Sequence, residues 1–178
     1  MATALAISGS PSRQSKSRRL LEYGVTRLGE RGIAATLLDL CDLPAGDLLG
    51  RTTSPAIERA LAAIAEPRIL LVATPVYRAS FSGLLKVFFD LLPQDALAGK
   101  VALPIATGGG PAHALVIDHA LRPLLASVGA LVVSCGVYGI DSQFGAAAPD
   151  AALLARVDRG ISELEEVIGH ELDTRAAV

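Results

Sequence analysis

Five short apolar runs, separated by stretches of helical periodicity, restrict the possible folds of this chain more than any other feature. The runs cover residues 3–7, 33–38, 68–74, 101–107 and 131–137. They lack a regular alternation of apolar and polar residues, which is typical of strands covered on both faces. Strands of this kind that alternate with helices predict an α/β fold with a doubly wound, five-stranded parallel sheet.

The intervening stretches place apolar residues at helical spacing and carry helix start and stop signals. They predict helices from about residue 18 to 29, 55 to 65, 82 to 92, 112 to 128 and 150 to 172. Pro123 lies inside the fourth of these and cannot donate to the carbonyl of His119. We therefore expect a kink or a π-bulge around residues 118–120.

Length and composition limit the classes of protein to consider. A chain of 178 residues fits a single domain, residues 1–178, and its 51% hydrophobic residues against 19% charged residues favour a homo-oligomer. The net charge of -2 argues against a nucleic-acid partner, and the longest uncharged stretch is interrupted by prolines and glycines, so no membrane span is expected. Cys41 and Cys135 are isolated, which predicts neither a metal site nor a disulfide and favours a cytoplasmic protein.

A polar loop follows the first predicted strand. Residues 8–17 contain five serines together with Arg13 and Lys16, and no carboxylate occurs before Glu22. A loop between a strand and a helix directs backbone N–H groups and the positive end of the helix dipole at one point, so this loop is suited to a phosphate. The alternative is an ordinary serine-rich connection.

The spacing of this loop excludes two familiar phosphate motifs. A Walker A motif needs a glycine directly before Lys16, where Ser15 stands, and a dinucleotide fingerprint needs more glycines than Gly9. Asp39 ends the second strand, where a ribose could bind, but without those glycines it is more readily a helix or turn partner. The loop therefore fits a terminal phosphate monoester better than a buried pyrophosphate.

Two further loops follow strands three and four. The first presents Pro75, Val76, Tyr77 and Arg78, and the second presents Thr107, Gly108, Gly109 and Gly110. In a sheet of order 2-1-3-4-5 all three loops lie at the same edge, where ligands bind in such folds. Tyr77 could contact a planar ring and the glycines would let it approach the backbone, although a half-buried tyrosine and a flexible turn are the simpler interpretations.

The three loops offer hydrogen-bond donors for a phosphate, a tyrosine that could contact a planar ring, and glycine backbone without side chains. They contain no nucleophile with an adjacent base. This combination suits a cofactor that carries the chemistry itself, and FMN fits best. Arg13, Lys16, Arg18 and Arg78 are candidate partners for the additional phosphate of NADPH, with NADH as the alternative nucleotide. For Arg18 an exposed charge on the helix face is the simpler interpretation.

The motifs together resemble the NAD(P)H-dependent FMN reductases of flavodoxin-like fold. The resemblance runs from about residue 4 to 143 and is closest to the reductases of alkanesulfonate and methanesulfonate utilisation. It rests on the segments 8–17, 74–77, 82–86, 90–93 and 106–109 and on Asp118, Arg122, Pro123, Gly136 and Val137. Histidine at position 119 is similar to the methanesulfonate-type enzymes, since the alkanesulfonate type carries tyrosine there.

The resemblance implies where FMN binds and what the protein does. It implies that Ser10, Arg13, Ser15 and Ser17 hold the phosphate, with Pro75–Tyr77 on one side of the isoalloxazine and Thr107–Gly110 on the other. NADPH would reduce FMN, the reduced flavin would pass to a flavin-dependent monooxygenase, and the protein would form a homodimer or homotetramer. Three alternatives remain: an FMN-containing reductase of quinones, azo dyes or metal oxyanions, a flavodoxin-like electron carrier, and a binder of sugar phosphates that uses no flavin.

Overall fold

A parallel β-sheet with helices on both faces forms the core of the protein. The computed structural model describes residues 3–52 and 54–176. The strands are β1 (Thr3–Ser8), β2 (Ala34–Asp39), β3 (Ile69–Pro75), β4 (Val101–Gly108), β5 (Leu131–Val132) and β6 (Val137–Ile140). Their order is β2-β1-β3-β4-β5, with β6 also paired to β4, and every pairing is parallel. The predicted flavodoxin-like order 2-1-3-4-5 is confirmed.

Within the described residues, six α-helices cover the sheet. They are α1 (Lys16–Glu30), α2 (Ala45–Leu48), α3 (Pro55–Ala62), α4 (Gly83–Phe89), α5 (Arg122–Ser127) and α6 (Ala151–Ala176). The apolar sides of α1 and α6 pack on one face of the sheet, and those of α3, α4 and α5 pack on the other. The long helices were predicted, whereas the single turn α2 was not, and α3 and α4 each end three residues before the predicted position.

Serine residues determine where three of these helices begin. Ser15, Ser54 and Ser82 are the N-caps of α1, α3 and α4, and each hydroxyl accepts the N–H three residues later. A serine at this position satisfies one of the donors that a helix leaves unpaired in its first turn. Two of these caps, Ser15 and Ser82, lie at the edge of the sheet where the predicted loops converge.

The prediction of one continuous strand over residues 131–137 is wrong. β5 pairs with β4 at Val101 and Ala102, and β6 resumes the pairing at Ile105. The intervening segment, residues 133–136, has more residues than the part of β4 it faces, so it leaves the ladder. This edge of the sheet therefore consists of two short strands separated by a bulge.

Pro104 in β4 explains the position of this bulge. The carbonyl of Ala102 accepts the N–H of Val133, so in a parallel ladder the polar groups of residue 104 face the same edge. A proline there has no N–H to donate, and the neighbouring strand loses a bond. Arg122 compensates by donating to the carbonyls of the next segment, namely those of Val132, Val133 and Ser134.

The predicted distortion near Pro123 is confirmed. A π-helical turn covers Ile117–Leu121 and continues into α5, whose first turn contains Pro123. The wider turn accommodates the missing N–H of Pro123 without a break in the helical path. Across residues 3–52 and 54–176, no helix is both long enough and apolar enough to span a membrane.

Candidate functional site

The carboxyl ends of four strands bring the predicted site loops to one edge of the sheet. Ser8 at the end of β1 is paired with Ala73, and Pro75 at the end of β3 is paired with Thr107. Thr107 in turn lies opposite Gly139 of β6. The loops after β1, β3 and β4 are therefore neighbours, as the sequence predicted, and the loop after β6 joins them.

The first loop is held in place by its own hydroxyls and by the start of α4. The Ser10 hydroxyl accepts the N–H of Ser12 at 3.1 Å, and the Ser12 hydroxyl accepts the N–H of Gln14 at 3.3 Å. The N–H of Gly9 donates to the carbonyl of Ala73 at 2.7 Å, and the Ser82 hydroxyl donates to the Gly9 carbonyl. These bonds fix the path of the loop before any ligand binds.

The start of α1 leaves hydrogen-bond donors unused. The Ser15 hydroxyl accepts the N–H of Arg18 at 3.2 Å and lies 3.3 Å from the Ser17 hydroxyl. Among the residues described, the N–H groups of Lys16 and Ser17 have no acceptor. Unpaired N–H groups at the positive end of a 15-residue helix, with no acidic residue in its first turn, are suited to an anion.

The cations of this region are largely paired with carboxylates. Arg13 contacts Asp42, which raises the pKa of the guanidinium through a hydrogen bond and through charge attraction. Lys16 lies 2.8 Å from Asp141, and Arg18 lies 2.7 Å from Asp39. Asp39 is thus a partner of helix α1, as the sequence indicated.

The second loop begins at Pro75 and turns sharply after Tyr77. The N–H of Val76 donates to the carbonyl of Thr107 at 2.7 Å, which ties this loop to the third one. Tyr77 and Ser80 exchange two backbone hydrogen bonds across a two-residue turn, and both central residues, Arg78 and Ala79, have positive φ values of 50° and 63°. Such turns normally use asparagine and glycine, so this one holds strained backbone. The turn leaves the Tyr77 ring 50% exposed at the edge.

The third loop contains glycines that the fold itself does not require. Gly109 and Gly110 have no left-handed φ, and a Cβ added to either would meet no atom within 4 Å. In the described chain, their N–H groups also have no acceptor. An open space beside bare backbone donors is what a flat ligand needs in order to approach closely. The observation fits a ligand better than a flexible turn, because Gly110 is extended.

Several residues of this edge were not predicted from the sequence. Ser82 and Thr74 join the first and second loops, since the N–H of Ser82 donates to the Thr74 hydroxyl at 2.9 Å. Tyr138 of β6 donates its hydroxyl to the carbonyl of Gly110 at 2.7 Å. Burial and the nearby Asp141 raise the pKa of Tyr138, so the hydroxyl stays protonated and remains a donor. Its position directly after the last predicted strand was the available signal.

The loop after β6 covers the side of helix α1. Asp141 pairs with Lys16, and the ring of Phe144 lies 5.8 Å from both the Lys16 ammonium and the Arg19 guanidinium. Arg19 also donates to the carbonyl of Gly145 at 3.2 Å. The first turn of α1 is therefore braced by a segment from the other end of the sequence.

Comparison with known proteins identifies close relatives. A family model described as NADPH-dependent FMN reductase matches residues 2–145. An FMN reductase (NADPH) from Pseudomonas putida is 46% identical over 140 residues, which cover 78% of this chain and 71% of that protein. The NADH-dependent FMN reductase SfnE, also from Pseudomonas putida, is 40% identical over 158 residues, which cover 86% of this chain and 85% of SfnE.

The solved structures include a close match as well. The apo form of an NADH:FMN oxidoreductase superimposes with a TM-score of 0.83 at 41% sequence identity, and the match covers 92% of this chain and 90% of that one. The family model matches residues 2–145, and this range includes all three predicted loops.

Proposed function

Because the chain belongs to the NADPH-dependent FMN reductase family, we propose that it reduces FMN at the edge formed by its three loops and releases the product to a flavin-dependent monooxygenase. The protein is an NAD(P)H-dependent FMN reductase. The observation that carries the location of its site is the open space beside Gly109 and Gly110, which the packing of the chain itself leaves unused.

The phosphate end of the site is assigned to the first loop. Ser10, Ser15 and Ser17 supply hydroxyls, and Lys16 and Ser17 supply the free N–H groups at the start of α1. Arg13 adds a guanidinium that can leave Asp42 and bind a phosphate. The exchange is favourable because the side chains of Arg13 and Asp42 are 67% and 46% exposed, and exposed ion pairs are weak. This set of donors matches a dianionic monoester.

The ring end of the site is assigned to the second and third loops. Pro75, Val76 and Tyr77 form one wall, and Thr107–Gly110 form the other, joined by the hydrogen bond from Val76 to Thr107. These residues would hold FMN, which would supply the redox chemistry: a hydride from the nicotinamide and a proton from water would convert it to reduced FMN and leave oxidised nucleotide. The residues of the chain bind and orient the flavin, and the N–H groups of Gly109 and Gly110 are directed to its ring.

The identity of the pyridine nucleotide is linked to Arg78. Relatives of this chain include enzymes described as NADPH-dependent and as NADH-dependent. Arg13, Lys16 and Arg18 all have carboxylate partners, whereas Arg78, within the described residues, has none. Arg78 also lies directly beside Tyr77 on the strained turn. We therefore assign the additional phosphate of NADPH to Arg78.

Delivery of reduced flavin to a monooxygenase, of the type used in sulfonate utilisation, requires that the flavin leave the protein. The first loop is at the surface, with Pro11, Ser12, Arg13 and Gln14 exposed, and the Tyr77 ring is half exposed. An open site of this kind supports exchange of the flavin between solvent and protein better than permanent retention.

The test is NADPH oxidation by the purified protein, followed at 340 nm while the concentration of added FMN is varied. We expect the rate to rise with FMN and to saturate, as it does when FMN is a substrate. After a single anaerobic turnover, ultrafiltration should recover reduced FMN in the filtrate. A rate that ignores added FMN but responds to a quinone, with flavin retained on the filter, would contradict delivery to a partner enzyme.

A further inference from the structure

Tyr138 is a half-buried residue of β6, and its side chain reaches the glycine loop that follows β4. Its hydroxyl donates to the Gly110 carbonyl at 2.7 Å, and its ring packs partly against the core on the α4 and α5 face. A Cβ added to Gly108 would overlap the hydroxyl oxygen, and the next nearest ring atom, Cζ, would lie at 3.4 Å. The hydroxyl therefore occupies the space that glycine leaves open at position 108.

We propose that Tyr138 is a positioning residue for the flavin ring, which acts by holding the Gly108–Gly110 backbone in the shape that presents its free N–H groups. The proposal rests on the assignment of this loop to FMN. It gives Gly108 a different role from its two neighbours: Gly108 accommodates Tyr138, whereas Gly109 and Gly110 accommodate the ligand.

The hydrogen bond to Gly110 has a specific effect on this loop. Gly110 is extended, and the residue after it, Pro111, has no N–H and a restricted φ. The chain that leaves β4 therefore has few internal bonds to define its path. Because the Tyr138 hydroxyl engages the carbonyl of Gly110, the peptide plane between Gly110 and Pro111 keeps a fixed orientation and anchors the end of the glycine loop. The N–H groups of Gly109 and Gly110, which have no acceptor among the described residues, are then available to a ligand.

The ligand atoms that such donors recognise are carbonyl oxygens and ring nitrogens of the flavin, whose electron density rises on reduction. Preorganised N–H groups stabilise developing negative charge because they need no reorientation during the reaction. Loss of the Tyr138 hydroxyl should therefore weaken binding of the flavin ring. Binding of reduced flavin should be weakened at least as much as binding of oxidised flavin. The phosphate end of the site is not involved.

The test is Tyr138→Phe, which keeps the ring and its packing but removes the hydroxyl. We expect the dissociation constants of FMN and of riboflavin, measured by quenching of flavin fluorescence, to rise by the same factor of about five to ten. The dissociation constant of reduced FMN, measured anaerobically, should rise by at least the same factor. Tyr23→Phe is the matched control, since it removes a hydroxyl that donates to Asp158 of α6 at 2.9 Å and contacts none of the three loops; both constants should stay unchanged.

A double-mutant cycle with Gly108→Ala tests the contact itself. Gly108→Ala alone should weaken flavin binding more than Tyr138→Phe alone, because its methyl group displaces the Tyr138 hydroxyl. In the Tyr138→Phe background the methyl group has room, so the double variant should bind FMN within about twofold of Tyr138→Phe alone. Thermal unfolding of each variant reports whether it is folded. If Gly108→Ala alone is unstable, the comparison of the double variant with Tyr138→Phe still tests whether the methyl group has room once the hydroxyl is removed.

Three outcomes would overturn the proposal. They are unchanged binding in Tyr138→Phe, a loss that affects FMN but not riboflavin, and effects of the two substitutions that simply multiply. Each is distinct from failure of the proposed function, which would appear in the unmodified protein as NADPH oxidation that does not respond to FMN.

Discussion

At the residue scale, Arg13 is the side chain of the first loop that we expect to act both without and with a bound ligand. In the free protein its guanidinium contacts Asp42, and the pair is largely exposed. Exposed ion pairs contribute little to stability, so exchange of Asp42 for a phosphate requires little energy. A phosphate carries more charge than a carboxylate and accepts two parallel bonds from a guanidinium. Arg13 is therefore expected to change partner when FMN binds.

The first prediction is that Arg13→Ala weakens FMN binding about five- to tenfold and leaves riboflavin binding unchanged, because riboflavin lacks the phosphate. The measurement is quenching of flavin fluorescence for both ligands at low and moderate salt. Added salt should reduce the difference between the native protein and the variant, because exposed charges are screened.

Two matched variants check this interpretation. Asp42→Asn removes the competing carboxylate and should tighten FMN binding, whereas Arg59→Ala removes an exposed guanidinium from α3 and should have no effect. If Arg13→Ala weakens the binding of FMN and the binding of riboflavin equally, the assignment of Arg13 to the phosphate is wrong.

At the scale of elements, the broken edge strand is the least regular part of the fold, and Glu163 of α6 supports it. Its Oε2 atom accepts the Ser134 hydroxyl and the N–H of Cys135, both at 2.8 Å. Burial raises the pKa of Glu163, but the hydrogen bonds from Cys135 and Ser134 outweigh burial, and the net pKa is lowered from its ordinary value of 4.5. The folded state therefore favours the charged carboxylate.

The next prediction concerns the pH dependence of stability. Because the folded-state pKa of Glu163 is depressed, its contribution is complete above pH 4.5 and is lost as pH falls through the lower folded value. Glu163→Gln should therefore reduce the free energy of unfolding in urea by about 1 kcal/mol at pH 7, and the difference should disappear at acid pH.

Glu166→Gln, an exposed substitution in the same helix, controls for the loss of one negative charge and should show no such pH dependence. A difference between Glu163→Gln and the native protein that persists unchanged at pH 3 would show that the charge of Glu163 is not what supports the bulge.

The comparison between sequence and structure separates local signals from distant ones. The cap at Ser54, the start of α4 near Ser82 and the π-turn near Pro123 follow from residues within the same element, and these local signals predicted them. The split of the last strand depends on Pro104, which belongs to the neighbouring strand. Residues 131–137 alone read as a continuous strand because they are mostly apolar and include Val132, Val133 and Val137.

The same distinction applies to the site. The loops after β1, β3 and β4 were recognisable because each directly follows a strand. Tyr138 was missed, since its role depends on Gly108 and Gly110 of a different strand, and Asp42 was missed because its partner Arg13 lies in another loop. Pairings across the sheet leave no periodic signal in the sequence.

At the scale of the whole molecule, three leucines are more than half exposed. Leu49, Leu115 and Leu131 are 58%, 62% and 52% exposed, respectively, and Leu131 lies in β5 at the edge of the sheet. Exposed leucines in a chain with 51% hydrophobic residues favour association of identical copies.

We therefore predict that the protein is a homodimer or a homotetramer. Size-exclusion chromatography with multi-angle light scattering should give two or four times the chain mass of 18.3 kDa at micromolar concentration. Binding of FMN is measured in parallel, so that any link between assembly and flavin affinity is detected. A mass of one chain at all concentrations would contradict the prediction.

The bracing of helix α1 by the loop after β6 affects how the protein is made. Arg19 and Gly145, which hydrogen-bond in the finished fold, are 126 residues apart along the chain. At roughly 5–20 residues per second of translation, on the order of ten seconds separate the emergence of the two segments from the ribosome. The nascent chain thus carries the first turn of α1 long before the segment that braces it is synthesised.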